Sequence, residues 1–225
     1  MTEPVRAGAR AADMAVLAFG GRRVPRPLTD LAVVRVDDAG DPAALDAAVG
    51  AFRRLVVLGG DAELAAVLTR LLRAERLDVE VAYAPRRRTR ATGIYRLPAG
   101  FRAARRATLG AARRVPLIRD ETGSVVVGRA GWVPADGART IRGEAVVDDT
   151  TLFDGDAPGV WIEPTPAAPG LRAAVAGRFR RRWVAGRAAQ LGSTGVAVLR
   201  DGVPAARPAR RCAFYRNIEG WLSVR

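Results

Sequence analysis

Apolar positions recur along this chain in two rhythms, and the change from one to the other divides it. In the first half, unbroken aliphatic runs alternate with stretches whose apolar positions return every three or four residues. MAVLAF (14 to 19), LAVVRV (31 to 36) and LVVL (55 to 58) have the length and composition of buried strands. Asp41-Pro42 supplies a helix N-cap followed by proline at the first helical position, and AALDAAVGAF (43 to 52) carries the helix. After LVVL, the residues Leu64, Val67, Leu68, Leu71 and Leu72 fall on one face of a helix over 62 to 76. LDVEVAY (77 to 83) alternates as a strand, GIYRL (93 to 97) reads as a weaker one, and AGFRAARRATLGAA (99 to 112) predicts a short basic helix. This succession predicts a doubly wound α/β domain with a mostly parallel sheet.

Near residue 115 the rhythm becomes that of short alternating strands. VPLIRD, SVVVGRAGWV, RTIRGEAVV, GVWIEPT, GVAVLRDGV and RRCAFYRN are separated by Glu-Thr-Gly, Ala-Asp-Gly, Asp-Gly-Asp, Pro-Gly and Asp-Gly turn signals. The expected organisation is an α/β nucleotide-binding-like domain over 1–113 and a C-terminal antiparallel β-rich, sandwich-like domain over 114–225. LRAAVAGRFRRRWVAGRAAQL (171 to 191) fits either a basic helix or a pair of strands. Trp132, Trp161, Trp183 and Trp221 are the largest side chains available to the β-rich core.

Composition narrows the chemistry. The chain has 225 residues, no histidine, and 37 basic residues that are all arginine. These absences exclude an HExxH zinc peptidase, Ser/His or Cys/His nucleophile pairs within the chain, a P-loop lysine and a Schiff-base lysine. Zinc, haem and pyridoxal phosphate are therefore not expected. Cys212 lies in an alternating segment and reads as a small packed residue. No apolar run approaches the roughly 20 residues needed to cross a bilayer, and the early apolar segment is interrupted by Asp13, so neither a signal peptide nor a span is expected and the default location is cytoplasmic. Homo-oligomerisation is left open.

Charge adds a second candidate region. The net charge is +14, and residues 86 to 119 hold eleven arginines and no acid, whereas 136 to 163 hold seven acids against Arg139 and Arg142. General use of arginine in place of lysine explains an excess but not this clustering. Arg86, Arg87, Arg88, Arg102, Arg105 and Arg106 are the candidate anion ligands, for a nucleotide or phosphorylated small molecule, an anionic membrane surface, nucleic acid or an acidic partner. Only Tyr95 and Phe101 are interleaved with them, which is thin for RNA recognition. Arg180, Arg181 and Arg182 form a second basic run that reads either as a phosphate-binding groove or as a solvated face.

The other candidate is Gly59-Gly60-Asp61, at the junction of a strand and a helix. Turns at the carboxyl edge of a parallel sheet gather backbone N–H groups and the positive end of the following helix, where a phosphate can bind. The same residues equally describe a tight connection with Asp61 as N-cap.

LVVLGGDAELAAVLTRLL resembles the strand, G-G-D-G-T turn and helix of the diacylglycerol kinase and NAD kinase superfamily, especially its bacterial lipid kinase branch. DDAGDPAALDAAVGAFRRL, ahead of it, resembles that family's preceding helix, and LPAGFRAARR is placed like its P-x-G-T-x-N-D segment. The resemblance covers residues 14 to 110 and is only architectural beyond them. It implies ATP with Mg²⁺, phosphoryl transfer to a lipid or small hydroxyl acceptor, and nucleotide contacts from Gly59, Gly60, Asp61, Ala62, Pro98 and Gly100. The motifs are degenerate. Ala62 replaces a glycine and Glu63 a threonine or serine, while Phe101, Ala103 and Ala104 replace the second motif's threonine, asparagine and aspartate. Only Gly20-Gly21 represents the family's early glycine turn. Asp154, Asp201 and Glu219 are the candidates for its C-terminal general base. The resemblance thus implies a weakly active or inactive kinase-like protein, and the alternative is a non-catalytic binding or regulatory protein on the same scaffold.

Overall fold

The computed structural model describes residues 13–37, 42–177 and 182–225. It divides into two units, Met1–Val115 with Gly220–Arg225, and Pro116–Glu219.

The first unit is built on a six-stranded sheet. Its elements are β1 (Met14–Phe19), β2 (Ala32–Val36), α1 (Pro42–Ala51), β3 (Arg54–Leu58), α2 (Asp61–Arg73), β4 (Glu80–Tyr83), α3 (Arg90–Ile94), α4 (Gly100–Leu109), β5 (Ala112–Val115) and a late strand, Trp221–Val224. The sheet order is β2-β1-β3-β4, then the late strand, then β5. All pairings are parallel except that between the late strand and β5. β1 is wholly apolar, and so is β3 after its first residue, Arg54, because helices cover both faces of the sheet. α4 packs by its small side chains: Ala103, Ala104 and Ala107 are buried against Val16, Val56 and Ala82. Its arginines are left on the outer face.

Several local expectations change here. GIYRL is not a strand. Thr89 caps α3 by accepting the Thr92 N–H at 3.2 Å, and the Thr92 hydroxyl accepts the Thr89 N–H at 2.9 Å, so this segment enters a short helix. Asp61 is not an N-cap. Gly60 holds that position, and Asp61 is the first helical residue. Pro42 does open α1, whereas its proposed cap Asp41 lies outside the described residues. The late strand carries Trp221 away from the β-rich core and into the first unit, where its ring meets Tyr95 edge to face at 5.4 Å.

The second unit is an antiparallel sheet system. It comprises β6 (Ile118–Asp120), β7 (Val125–Val126), β8 (Ala130–Pro134), β9 (Ile141–Val147), β10 (Thr150–Ala157), β11 (Val160–Pro164), β12 (Leu171–Val175), β13 (Val184–Gly186), β14 (Ala188–Arg200), β15 (Val203–Pro204) and β16 (Ala209–Arg216). The late strand of the first unit is therefore β17. Segment 171 to 191 is resolved in favour of strands at β12, β13 and the start of β14, with Arg180 and Arg181 outside the described residues. Trp132 is fully buried, against Phe214. Trp161 and Trp183 instead carry the guanidinium groups of Arg129 and Arg172 on their faces. Those two arginines converge on the buried carboxylate of Glu163.

Candidate functional site

The glycine turn sits between the end of β3 and the start of α2. Neither Gly59 nor Gly60 takes a positive φ, so the turn does not use glycine for backbone freedom. It uses glycine for space. A Cβ built on Gly59 would lie 2.7 Å from the Cβ of Glu63, and one on Gly60 would lie 3.0 Å from its Oε2. The Glu63 side chain folds back over both glycines. Its Oε2 accepts the Gly60 N–H at 2.9 Å and its Oε1 pairs with Arg22 Nη1 at 3.2 Å.

Arg22 reaches this point because Gly20 and Gly21, both left-handed at φ 59° and 66°, turn the chain sharply after β1. Its guanidinium also donates to the Phe19 carbonyl at 2.9 Å. The positive end of α2 therefore already holds an anion. The Glu63 carboxylate oxygen stands where a phosphate oxygen would accept from the turn.

Asp61 is committed elsewhere. Its Oδ1 accepts the Tyr83 hydroxyl at 2.9 Å and its Oδ2 accepts the Ala91 N–H at 3.1 Å, tying the end of β4 and the first turn of α3 to α2. Burial, with this carboxylate beside it, raises the Tyr83 phenol well above its ordinary pKa and keeps it a donor. The second motif is also closed. The Gly100 N–H donates to the Pro85 carbonyl at 2.8 Å. Phe101 points into solvent at 62% exposure, and Ala103 and Ala104 are core residues. Ala62 and Pro98 are half-buried and bring no polar side chain. Among the described residues no group of three or more acids or cysteines could hold a metal ion. As arranged, these residues do not fit ATP with Mg²⁺.

The three C-terminal acids have separate places. Asp201 clamps a turn, accepting the N–H groups of Val127, Gly128 and Arg129 at 2.9, 2.7 and 2.8 Å. Asp154 is exposed on β10 opposite Glu144, a like charge. Glu219 is exposed in the link to β17, where its carbonyl accepts from Asn217.

The arginine-rich segment is brought together more tightly than its sequence promised. Arg88, Arg102, Arg105 and Arg106 line one cavity of about 970 Å³, and Arg96 and Arg225 join them. Arg86 and Arg87 are exposed but do not line it. The alternation of Ala103, Ala104 and Ala107 with Arg102, Arg105 and Arg106 on α4 explains the convergence: small residues face the sheet and arginines face out. Sequence reasoning missed Arg96, which it placed in a strand, and Arg225, which β17 delivers from far along the chain. It also missed Arg22, although the paired glycines before it marked a sharp turn.

No family model matches the chain, and no curated protein matches it. Solved structures do. A diacylglycerol kinase from Bacillus anthracis str. Sterne superposes with a TM-score of 0.73 at 12% identity, covering 95% of this chain and 96% of that one. An NAD kinase from Archaeoglobus fulgidus, in complex with ATP, gives 0.63 at 12% identity over 94% and 93%. Yeast NADH kinase complexed with NADH gives 0.60 at 11% identity over 94% and 83%. At such identities the likeness establishes architecture alone. Over nearly its whole length the chain has the fold shared by the diacylglycerol kinases and NAD kinases.

Proposed function

We propose that this chain is a non-catalytic binding protein on the kinase scaffold, acting in the cytoplasm, which recognises an anionic partner through the arginines of segment 86 to 119. The observation that carries this reading is Glu63. It places a carboxylate on the N–H group of the glycine turn and is itself held by Arg22. A bound phosphate there must displace that carboxylate and then tolerate its charge nearby. The buried alanines in the second motif support the same reading, because Ala103 and Ala104 offer neither hydrogen bond nor metal ligand.

A second reading is ATP-dependent phosphoryl transfer to a lipid or small hydroxyl acceptor. Its support is the fold, together with the fact that Glu63 is a long side chain whose partner Arg22 is 42% exposed. In that reading Gly59, Gly60, Asp61, Ala62, Pro98 and Gly100 contact the nucleotide, and one of Asp154, Asp201 and Glu219 takes the acceptor's proton. The test is ADP formation with Mg²⁺ and ATP, with and without diacylglycerol in mixed vesicles. The first reading predicts none above the uncatalysed rate. ADP release that depends on acceptor overturns it in favour of the second.

A further inference from the structure

The arginine cavity differs from an ordinary basic face in three ways. It is concave, with Leu97, Pro98 and Leu109 among its walls. Six arginines line it and no acidic side chain does. None of the six makes an ion pair with an acid among the described residues. Several arginines elsewhere in the chain are paired, among them Arg54 with Glu80, Arg70 with Asp46, Arg76 with Asp78, and Arg129 and Arg172 with Glu163.

Arg225 is the most telling member. Its backbone N–H donates to the Ala111 carbonyl at 2.9 Å, which fixes the residue at the C-terminal end of α4. Its side-chain Nε and Nη2 are buried without a hydrogen-bond partner among the described residues. The same side chain lines the cavity, so a small shift would bring these unmatched donors to a bound anion. Arg96 adds backbone strain, since it adopts a left-handed φ of 55° beside the same cavity. Like charges gathered on one concavity also focus a positive potential there, which raises the local concentration of anions.

We propose that this cavity is a binding site for a compact, soluble polyanion carrying two or more phosphate groups, recognised by the arginine fan of α4 together with Arg96 and Arg225. The site shares Pro98 with the nucleotide residues implied by the family resemblance, but includes none of Gly59, Gly60, Asp61, Ala62 or Gly100. Arginine suits such a ligand because its planar fork gives paired hydrogen bonds to phosphate oxygens. A concave site also favours a small polyanion over the flat surface of a bilayer. The proposal rests on the binding-protein reading and names its ligand class.

The test is calorimetric titration with inorganic tripolyphosphate at low salt, on the full chain and on Arg225→Gln, Arg105→Gln and Arg139→Gln. One ligand should bind per chain with Kd below about 100 μM, weakening about tenfold between roughly 50 and 200 mM salt. Arg105→Gln changes an exposed side chain and leaves folding intact, so it protects the result if Arg225→Gln disturbs the packing around β17. Both should weaken binding at least about tenfold, which is the loss of one charge-assisted contact, while Arg139→Gln in the second unit stays within about twofold. No binding overturns the proposal, as does binding of several ligands per chain with no dependence on Arg105 or Arg225. So does association with anionic vesicles that free tripolyphosphate does not compete away. Failure of the non-catalytic reading is seen separately, as ADP formation, and leaves the arginine dependence of tripolyphosphate binding untouched.

Discussion

Replacing Glu63 by alanine should make the first unit less stable and its glycine turn more receptive to phosphate. The lost interactions are the Gly60 N–H···Oε2 bond at 2.9 Å, the favourable carboxylate at the positive end of α2, and the pair with Arg22. The first two together are worth about 1 kcal/mol, and the exposed Arg22 pair adds only about 0.3 kcal/mol. A loss of about 1.3 kcal/mol lowers the melting temperature by ~3–6 °C in a domain of this size. In the opposite direction, a carboxylate about 4 Å from a phosphate charge costs about 4 kcal/mol at an effective dielectric near 20, and less in so open a turn. Discounting for a Glu63 side chain that is 22% exposed, removal should strengthen phosphate binding at the turn by about tenfold or more. The measurement is the dissociation constant of Mg²⁺·ATP by calorimetry and thermal shift. It should be made in an Arg102→Gln, Arg105→Gln background, so that the arginine cavity contributes little. At ten times its dissociation constant, ATP should return about 1.4 kcal/mol, enough to restore the melting temperature of the variant. Equal or weaker ATP binding in Glu63→Ala would refute the view that this carboxylate closes the turn.

Asp61→Ala leaves the Ala91 N–H without its acceptor and the Tyr83 hydroxyl with only a long 3.4 Å contact to the Thr89 hydroxyl, so urea denaturation should show a loss of about 2 kcal/mol whatever ligand is present. Burial pushes the Glu163 carboxyl up, but hydrogen bonds from Arg129 and Arg172 outweigh it and hold the pKa below the ordinary value. Stability from this group is therefore complete above the unfolded carboxyl pKa of about 4.3 and is lost as pH falls through the lower folded value. Acid titration of the melting temperature should show that loss in the parent chain and a flatter profile in Glu163→Gln, which should also be less stable near neutrality by about 3 kcal/mol. Burial pushes the Cys212 thiol up to about 12, so iodoacetamide at pH 8 should leave it unmodified in the folded chain and alkylate it in urea.

The doubly wound half was legible because its signals are local. The aliphatic runs at 14 to 19 and 55 to 58 and the apolar face from Leu64 to Leu72 sit where β1, β3 and α2 form. Tyr95 and Leu97 looked like strand residues because they are apolar and alternate, yet the capping exchange between Thr89 and Thr92 sets a helix just before them. β17 was illegible in a different way. WLSV was not among the expected strands, and nothing local says that it inserts between β4 and β5, more than a hundred residues upstream. The site shows the same division. Glu63 was visible as a departure from the family's glycine turn, whereas its role as the occupant of that turn depended on Arg22, forty-one residues away. Asp61 matched the family motif in sequence, and only the structure revealed that both its oxygens serve Tyr83 and Ala91. The arginine excess was obvious from composition. That α4 and β17 bring six of them to one cavity was not.

The central claim is that this kinase fold keeps its glycine turn shut and meets anions at its arginine cavity. Site-resolved ¹H–¹⁵N NMR of the unmodified chain during titration with Mg²⁺·ATP tests it directly, because the triphosphate can report on both places at once. The amide signals of Gly60 and Ala62 should stay within noise, while the Nε–Hε signals of Arg102, Arg105 and Arg225 and the Gly110 amide shift together and saturate. Saturable shifts at Gly60 and Ala62, with the arginine signals unmoved, would contradict the account.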